Sequence, residues 1–333
     1  MKRFVATVFV IGAVFLFSAP HGALAQTSSL APFYIHLNPN YPQPYSSVVL
    51  TLSGNAISIN NSTFSVLVNG KKVGTSTGRQ PVSFETGASG KSMYVVVRTN
   101  FNGKVYTRTV TLHPASVALV VEPLSTAPMW YPGTPTIPSF GKVRLVAIPN
   151  MQINGKPLSP STLSYVWKIG NETLQASGVG KDSAVINAPL PYRENSVSVT
   201  VQDPKNTQTA QRALTLVSGT PVVHIYENNP LTGTDYGHAL SSNFGATIGS
   251  SESTFVAVPY GFSLTGATPI VTWFLNGAKV QTGPMLTVRP KGAGGGSATI
   301  SALVEKDSAY ESEKAQIPLQ FGSHTGGFGL FGL

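Results

Sequence analysis

The stretch VTWFLNGAKV, Val271 to Val280, decides how the whole chain is read. Its first half is a short apolar strand, and Asn276-Gly277 is the dipeptide that a two-residue hairpin prefers, because a type I′ turn needs positive φ at both central positions. Two other segments superpose on it: TFSVLVNGKKV, ending at Val73, and SYVWKIGNETL, ending at Leu174. Aligned on their last residues, Val66, Trp167 and Trp273 share one position, repeated at intervals of about 100 residues. A ligand contact that valine can replace is a poor ligand contact. The three positions therefore read as inward-facing core.

Each hairpin sits among further strands. FYIHL, SSVVLTLS, PVSFE, KSMYVVVRTN and KVYTRTVTLH surround the first, and comparable sets surround the second and third. About seven short alternating strands per unit, separated by turn residues and with almost no helical periodicity, predict an all-β chain of three tandem β-sandwich domains. The expected boundaries are a signal peptide over 1–25, sandwiches over 26–114, 115–218 and 219–322, and a Gly/Phe/Leu-rich tail over 323–333. The linkers His113-Pro114-Ala115 and Ser218-Gly219-Thr220 are too short for flexible tethers, so a semi-rigid rod is expected.

Tyr165-Val-Trp-Lys168 with Ser196-Val-Ser-Val-Thr-Val201, and Val271-Thr-Trp-Phe274 with Ala298-Thr-Ile-Ser-Ala302, resemble the immunoglobulin-like superfamily, and more closely the polycystic-kidney-disease-type (PKD-like) repeats of exported bacterial proteins. The resemblance covers nearly the whole chain after residue 25. It lacks the Trp-Asp-Phe-Gly-Asp-Gly hairpin of PKD repeats and the paired cysteines of antibody domains. It also extends to signal-bearing bacterial repeat proteins that accompany type IV pilus genes. The resemblance implies a modular protein of the cell envelope.

Lys2 and Arg3, the apolar run Phe4 to Ala19, and Ala23-Leu24-Ala25 have the form of a signal peptide cleaved before Gln26, so an exported protein is expected, periplasmic, cell-surface or extracellular. The chain has no cysteine, which rules out disulfides, a thiolate metal site and a cysteine nucleophile. The formal charge is +9, yet charged residues are only 11% of the chain and no run of four basic residues occurs. That dilution argues against nucleic acid and allows mild attraction to anionic envelope or glycan polymers.

No motif supports an enzyme or a cofactor. ETGASGKS, Glu85 to Ser92, ends like a phosphate-binding loop, but Glu85 stands where the first glycine belongs and a strand follows; it reads as a hairpin turn. No Gly-x-Ser-x-Gly pentapeptide occurs. Glu305, Asp307, Glu311 and Glu313 read as a solvated turn beside Lys306 and Lys314. His224, Glu227, Asp235 and His238 match no metal-ligand spacing, and no metal is expected. Asn60, Asn61 and Asn171 open glycosylation sequons, which such a composition produces by chance.

Two loops are long for compact domains: Leu124 to Pro138, LSTAPMWYPGTPTIP, and the segment around Asn228 to Ser251. Met129, Trp130 and Tyr131 in the first, Tyr236 and Phe244 in the second, and Phe328 and Phe331 in the tail are candidate partner-binding residues. Packing of the two loops between domains is the competing reading. The expected function is non-enzymatic adhesion, pilus-associated or surface assembly through protein–protein contacts with envelope proteins or pilus components. The alternative is a carbohydrate-binding or enzyme-accessory protein that uses exposed aromatics, led by Trp130 and Tyr131.

Overall fold

The computed structural model describes residues 33–54, 59–101, 103–128, 130–243, 245–249, 252–291, 295–306 and 311–322. The expected signal peptide and tail, with Met129, Phe244, Phe328 and Phe331, lie outside the described residues. What is described consists of strands joined by turns and two single turns of 3-10 helix. No helix among the described residues is long and apolar enough to cross a membrane.

The first unit contains β1 (Tyr34–Asn38), β2 (Ser47–Ser53), β3 (Thr63–Val68), β4 (Lys71–Thr77), β5 (Val82–Glu85), β6 (Met93–Phe101) and β7 (Lys104–Leu112). A sheet β1-β2-β5 faces a sheet β4-β3-β6-β7. The inward residues Val48, Leu50, Phe64, Val66, Val95 and Val97 form a closed core between them. This strand order, with connections that cross between sheets, is a Greek-key sandwich of the immunoglobulin-like kind.

The second unit repeats it with β8 (Ser116–Pro123), β9 (Lys142–Asn150), β10 (Gln152–Ile153), β11 (Lys156–Pro157), β12 (Ser164–Ile169), β13 (Glu172–Thr173), β14 (Gly178–Val179), β15 (Ser183–Asn187), β16 (Glu194–Gln202) and β17 (Thr209–Val217). Its sheets run β15-β9-β8 and β13-β12-β16-β17, with β14 also pairing β12 and β10 with β11 as a separate ribbon. The third has β18 (Val222–Asn229), β19 (Gly233–Thr234), β20 (Ala246–Ile248), β21 (Ser253–Tyr260), β22 (Ile270–Leu275), β23 (Ala278–Thr282), β24 (Met285–Val288), β25 (Gly296–Lys306) and β26 (Glu311–Phe321). Its sheets are β19-β18-β21-β24 and β20-β26-β25-β22-β23. The second and third units thus carry strands beyond the expected seven. In the third unit the long loop supplies them: β19 extends β18, and β20 joins β26 in parallel.

Val66, Trp167 and Trp273 are each the fourth residue of a six-residue strand and are fully buried. The residue two positions earlier points to the same face, and it is Phe64, Tyr165 and Val271 respectively, also buried. The first unit therefore places its large ring at the earlier position, the third at the later, and the second at both. Each tryptophan N–H is satisfied inside: Trp167 donates to the Lys181 carbonyl at 2.8 Å and Trp273 to the Gly283 carbonyl at 2.9 Å. Neither burial leaves an orphan donor. Tyr165 donates its hydroxyl to the Pro160 carbonyl, and burial, with the Asp182 charge second, pushes its pKa up to about 12.

The turns also follow the repeat. Asn69-Gly70 and Asn276-Gly277 have positive φ at both residues. In each, the asparagine side chain continues the ladder: Asn69 Oδ1 accepts from the Tyr94 amide at 2.9 Å, and Asn276 Oδ1 accepts from the Thr299 amide at 2.8 Å. Gly170-Asn171 has positive φ at Gly170 alone, the pattern with glycine first. Lacking a side chain there, the second unit keeps only the backbone bond from the Gly170 amide to the Ser196 carbonyl.

Two sequence expectations change. ETGASGKS does not close a hairpin, because β5 and β6 lie in opposite sheets. It is a crossover whose tip seats on the linker and the second unit: the Gly90 amide donates to the Pro114 carbonyl at 2.9 Å, and a Cβ on Gly90 would fall 2.0 Å from the Gln152 oxygen. The acidic cluster is not a uniformly solvated turn either. Lys306 and Glu311, directly opposite across β25 and β26, are 2% and 3% exposed.

Candidate binding site at the junction of the second and third units

The loop Leu124 to Pro138 leaves β8 and runs to the third unit. Ser125 pairs antiparallel with Ser263. Around that bridge the Thr126 amide donates to the Phe262 carbonyl at 2.7 Å, the Gly261 amide to the Thr126 carbonyl at 2.8 Å, and the Leu264 amide to the Leu124 carbonyl at 2.9 Å. The Thr126 hydroxyl accepts from the Phe262 amide at 3.0 Å. The loop also holds the linker: the Gly219 amide donates to the Ile137 carbonyl, and the Ser139 hydroxyl to the Gly219 carbonyl, both at 2.9 Å. Such a ladder exists only where backbone approaches backbone closely, and Gly141 permits it. A Cβ there would meet Ser263 Oγ at 2.5 Å and Pro138 at 2.6 Å.

Ser263 is anchored from within the third unit. Its amide donates to Glu311 Oε2 at 2.8 Å, and its carbonyl accepts from Lys306 Nζ. Both side chains are hydrogen-bonded to the backbone of one residue, Ser263, through its N–H and its C=O, and Glu311 Oε1 has no hydrogen-bond partner among the described residues. Burial dominates both groups. It raises the Glu311 carboxyl above its ordinary value despite the Ser263 amide and the Lys306 charge, and lowers the Lys306 ammonium despite Glu311. The β25–β26 hairpin thereby fixes the chain segment to which the second unit attaches. Polar residues in an alternating strand pattern gave no signal of this. The one available hint was a lysine and a glutamate at corresponding ends of two long strands.

The attached loop brings aromatic residues together. Trp130 packs on Tyr236 with ring centroids 3.9 Å apart and planes at 32°. Tyr236 meets the edge of Tyr226 at 5.4 Å, and Tyr131 meets Tyr260 at 5.7 Å and 69°. Three of the candidate contact residues, Trp130, Tyr131 and Tyr236, thus share one junction and remain 43%, 41% and 39% exposed. His224, on β18, is edge-on to Tyr260 at 5.2 Å. The Tyr226 and Tyr260 hydroxyls hydrogen-bond each other at 2.9 Å. Burial, followed by the bond to Tyr226, raises the Tyr260 pKa above its ordinary value.

Beside this cluster lies an open cavity of about 220 Å³, lined by Tyr131, Thr126 and Thr136 from the second unit and His224, Tyr226 and Tyr260 from the third. None of its described lining residues is Lys, Arg, Asp or Glu. The other residues of the His/Asp/Glu group stand apart from it: Asp235 pairs with His238 at 2.8 Å on the surface. Among the described residues no three His, Asp or Glu side chains are placed to hold a metal ion. The cleft has aromatic faces and hydroxyls, which suit holding a ligand.

No protein-family model matches the sequence, and no curated protein is significantly similar to it. Solved structures align along most of its length at low identity. The three N-terminal domains of the bacteriophage RB49 highly immunogenic outer capsid protein match with 10% identity over 87% of this chain and 98% of that one, at a TM-score of 0.25. The central fibronectin-III array of RIM-binding protein matches with 14% identity over 87% and 96%, at 0.28. Sidekick-1 immunoglobulin domains 1–4 match with 13% identity over 87% and 74%, at 0.22. All three are arrays of β-sandwich domains, and scores this low carry no functional argument. The chain is an all-β tandem array of immunoglobulin-like sandwiches, on the strand pairing described above.

Proposed function

We propose that the chain is a non-catalytic, exported binding protein that acts at the cell surface in adhesion or assembly, with its second and third units working as one recognition body. The observation that carries this is the composite cleft: neither unit alone contains it, and a dedicated loop of one unit is hydrogen-bonded along the other to build it. Two independent beads on a string would have no use for that ladder. The N-terminal segment, with its charged start, apolar run and Ala-x-Ala, supports export.

Fractionation of the native cells, with mass spectrometry of the N-terminus, tests the location; native affinity capture tests the binding. The expected result is a chain beginning at Gln26 in the envelope or medium, with a surface partner whose recovery drops in Trp130→Ala. Retention in the cytosol with residues 1–25 intact would reject export, and recovery that is unaltered in Trp130→Ala would reject the junction as the recognition surface.

A further inference from the structure

We infer that the cleft between the second and third units binds a single ring of an uncharged sugar. The inference goes beyond the proposed surface role and stands or falls without it.

Charge comes first. A site for an anion would present lysine or arginine, and a site for a metal or ammonium group would present carboxylates; the described lining of this cleft holds neither. The ligand is therefore neutral. Its shape follows from the rings: Tyr131 and Tyr260 stand nearly perpendicular, at 69°, and form a corner with an aromatic face on one wall. The C–H bonds on one face of a pyranose carry slight positive charge and pack against the electron-rich face of such a ring. The equatorial hydroxyls of the same sugar then need polar partners around the rim.

Those partners are present. In the Tyr226–Tyr260 pair only one of the two hydroxyl hydrogens can lie in the shared bond, so the pair has a second O–H to donate and lone pairs to accept. Thr126 and Thr136 also line the cleft, and His224 adds a ring nitrogen. The cavity of about 220 Å³ is below the ~300–1,000 Å³ typical of drug-sized ligands and suits one ring, with the chain of a glycan leaving through the open side. Tyr131 sits on the inserted loop and the other rings on β18 and β21, so the loop–strand ladder sets the distance between the walls.

The test is saturation-transfer NMR on the purified full-length protein with neutral hexoses, N-acetylhexosamines and their oligomers, alongside sialic acid, glucuronic acid and choline. Saturation is expected on ring C–H protons of a neutral sugar, with little on the charged probes. Tyr131→Ala should weaken that affinity about tenfold or more, and Tyr260→Phe, which keeps the ring and removes the hydroxyl pair, roughly two- to tenfold. Circular dichroism melts of both variants establish that they are folded; a misfolded Tyr131→Ala leaves Tyr260→Phe as the deciding variant. Absence of saturation from every neutral sugar at millimolar concentration overturns the inference. So does preferential binding of choline or an acidic sugar, or sugar binding unchanged in the folded variants.

Discussion

Replacing Trp273 with valine makes the third unit imitate the first at the repeat position, and the structure says that this should fail. The side chain is fully buried and its N–H is bonded to the Gly283 carbonyl. Aromatic side chains bury ~150–250 Å² each; with tryptophan at the upper end and valine covering roughly half, about 100 Å² of apolar contact is lost. At about 25 cal/mol/Å² that is about 2.5 kcal/mol, and the stranded Gly283 carbonyl adds about 1 kcal/mol. The expected loss is about 3–4 kcal/mol, within the ~3–5 kcal/mol range for large-to-small changes at buried aromatics. The first unit tolerates valine only because Phe64 stands two residues earlier, where the third unit has Val271. Adding Val271→Phe to Trp273→Val should therefore recover part of the loss, a non-additivity that a double-mutant cycle resolves. Scanning calorimetry on the full chain is the assay. The transition of the coupled second and third units should fall by roughly 2–4 °C per kcal/mol while that of the first unit stays in place. A loss below about 1 kcal/mol, or a double variant no better than the sum of its parts, would falsify the exchange of ring positions between units.

Further outcomes follow from the junction and the turns. Gly141→Ala, which drives a Cβ against Ser263 and Pro138, should cost about 1–3 kcal/mol of overpacking and increase proteolysis within Leu124 to Pro138, measured by limited digestion. Asn276→Ala removes the bond to the Thr299 amide and strains a positive φ, for a loss of about 1–2 kcal/mol by urea unfolding. Glu311 has a raised folded pKa, so its contribution favours the fold most below the ordinary glutamate value of 4.5 and declines as pH rises through the folded value; Glu311→Gln should flatten that limb of a melting-temperature profile. Asp203 behaves oppositely. Burial pushes it up, but the Gln208 and Lys205 amides and the Thr207 hydroxyl outweigh burial and hold it below 3.8, so its stabilisation is present above 3.8 and is lost as acid takes the pH through the folded value; in Asp203→Asn that loss should be absent.

Much of the fold was legible because it is written locally. Alternation over five to ten residues marks a strand, and Asn-Gly marks a turn whichever domain it is in, so three superposed hairpins were enough to place Val66, Trp167 and Trp273. Packing of the long loops between domains was one of the two readings open, and the loop from Leu124 to Pro138 does pack on the third unit; which residues it meets there was not legible, for the converse reason. Thr126 finds Phe262 across more than a hundred residues, and nothing in either segment names the other. The parallel pairing of β20 with β26 leaves no turn to recognise, since no short connection joins its partners. Lys306 and Glu311 read as surface because charged residues almost always are; their burial depends on Ser263 offering both its N–H and its C=O. Trp130 and Tyr131 stood out by residue type, but that they would meet Tyr236 and Tyr260 depended on the same long-range docking.

The ladder between Leu124–Thr126 and Gly261–Leu264 bears on how such a protein is made and how it changes over time. During synthesis the second unit is complete well before residue 261 exists, so its long loop must wait with unpaired amides until the third unit folds against it. A chain cut after the second unit would expose that strand-like loop as an adhesive edge. For the same reason the two units are not interchangeable parts: duplication or exchange at Ser218 to Thr220 would separate the two walls of one cleft.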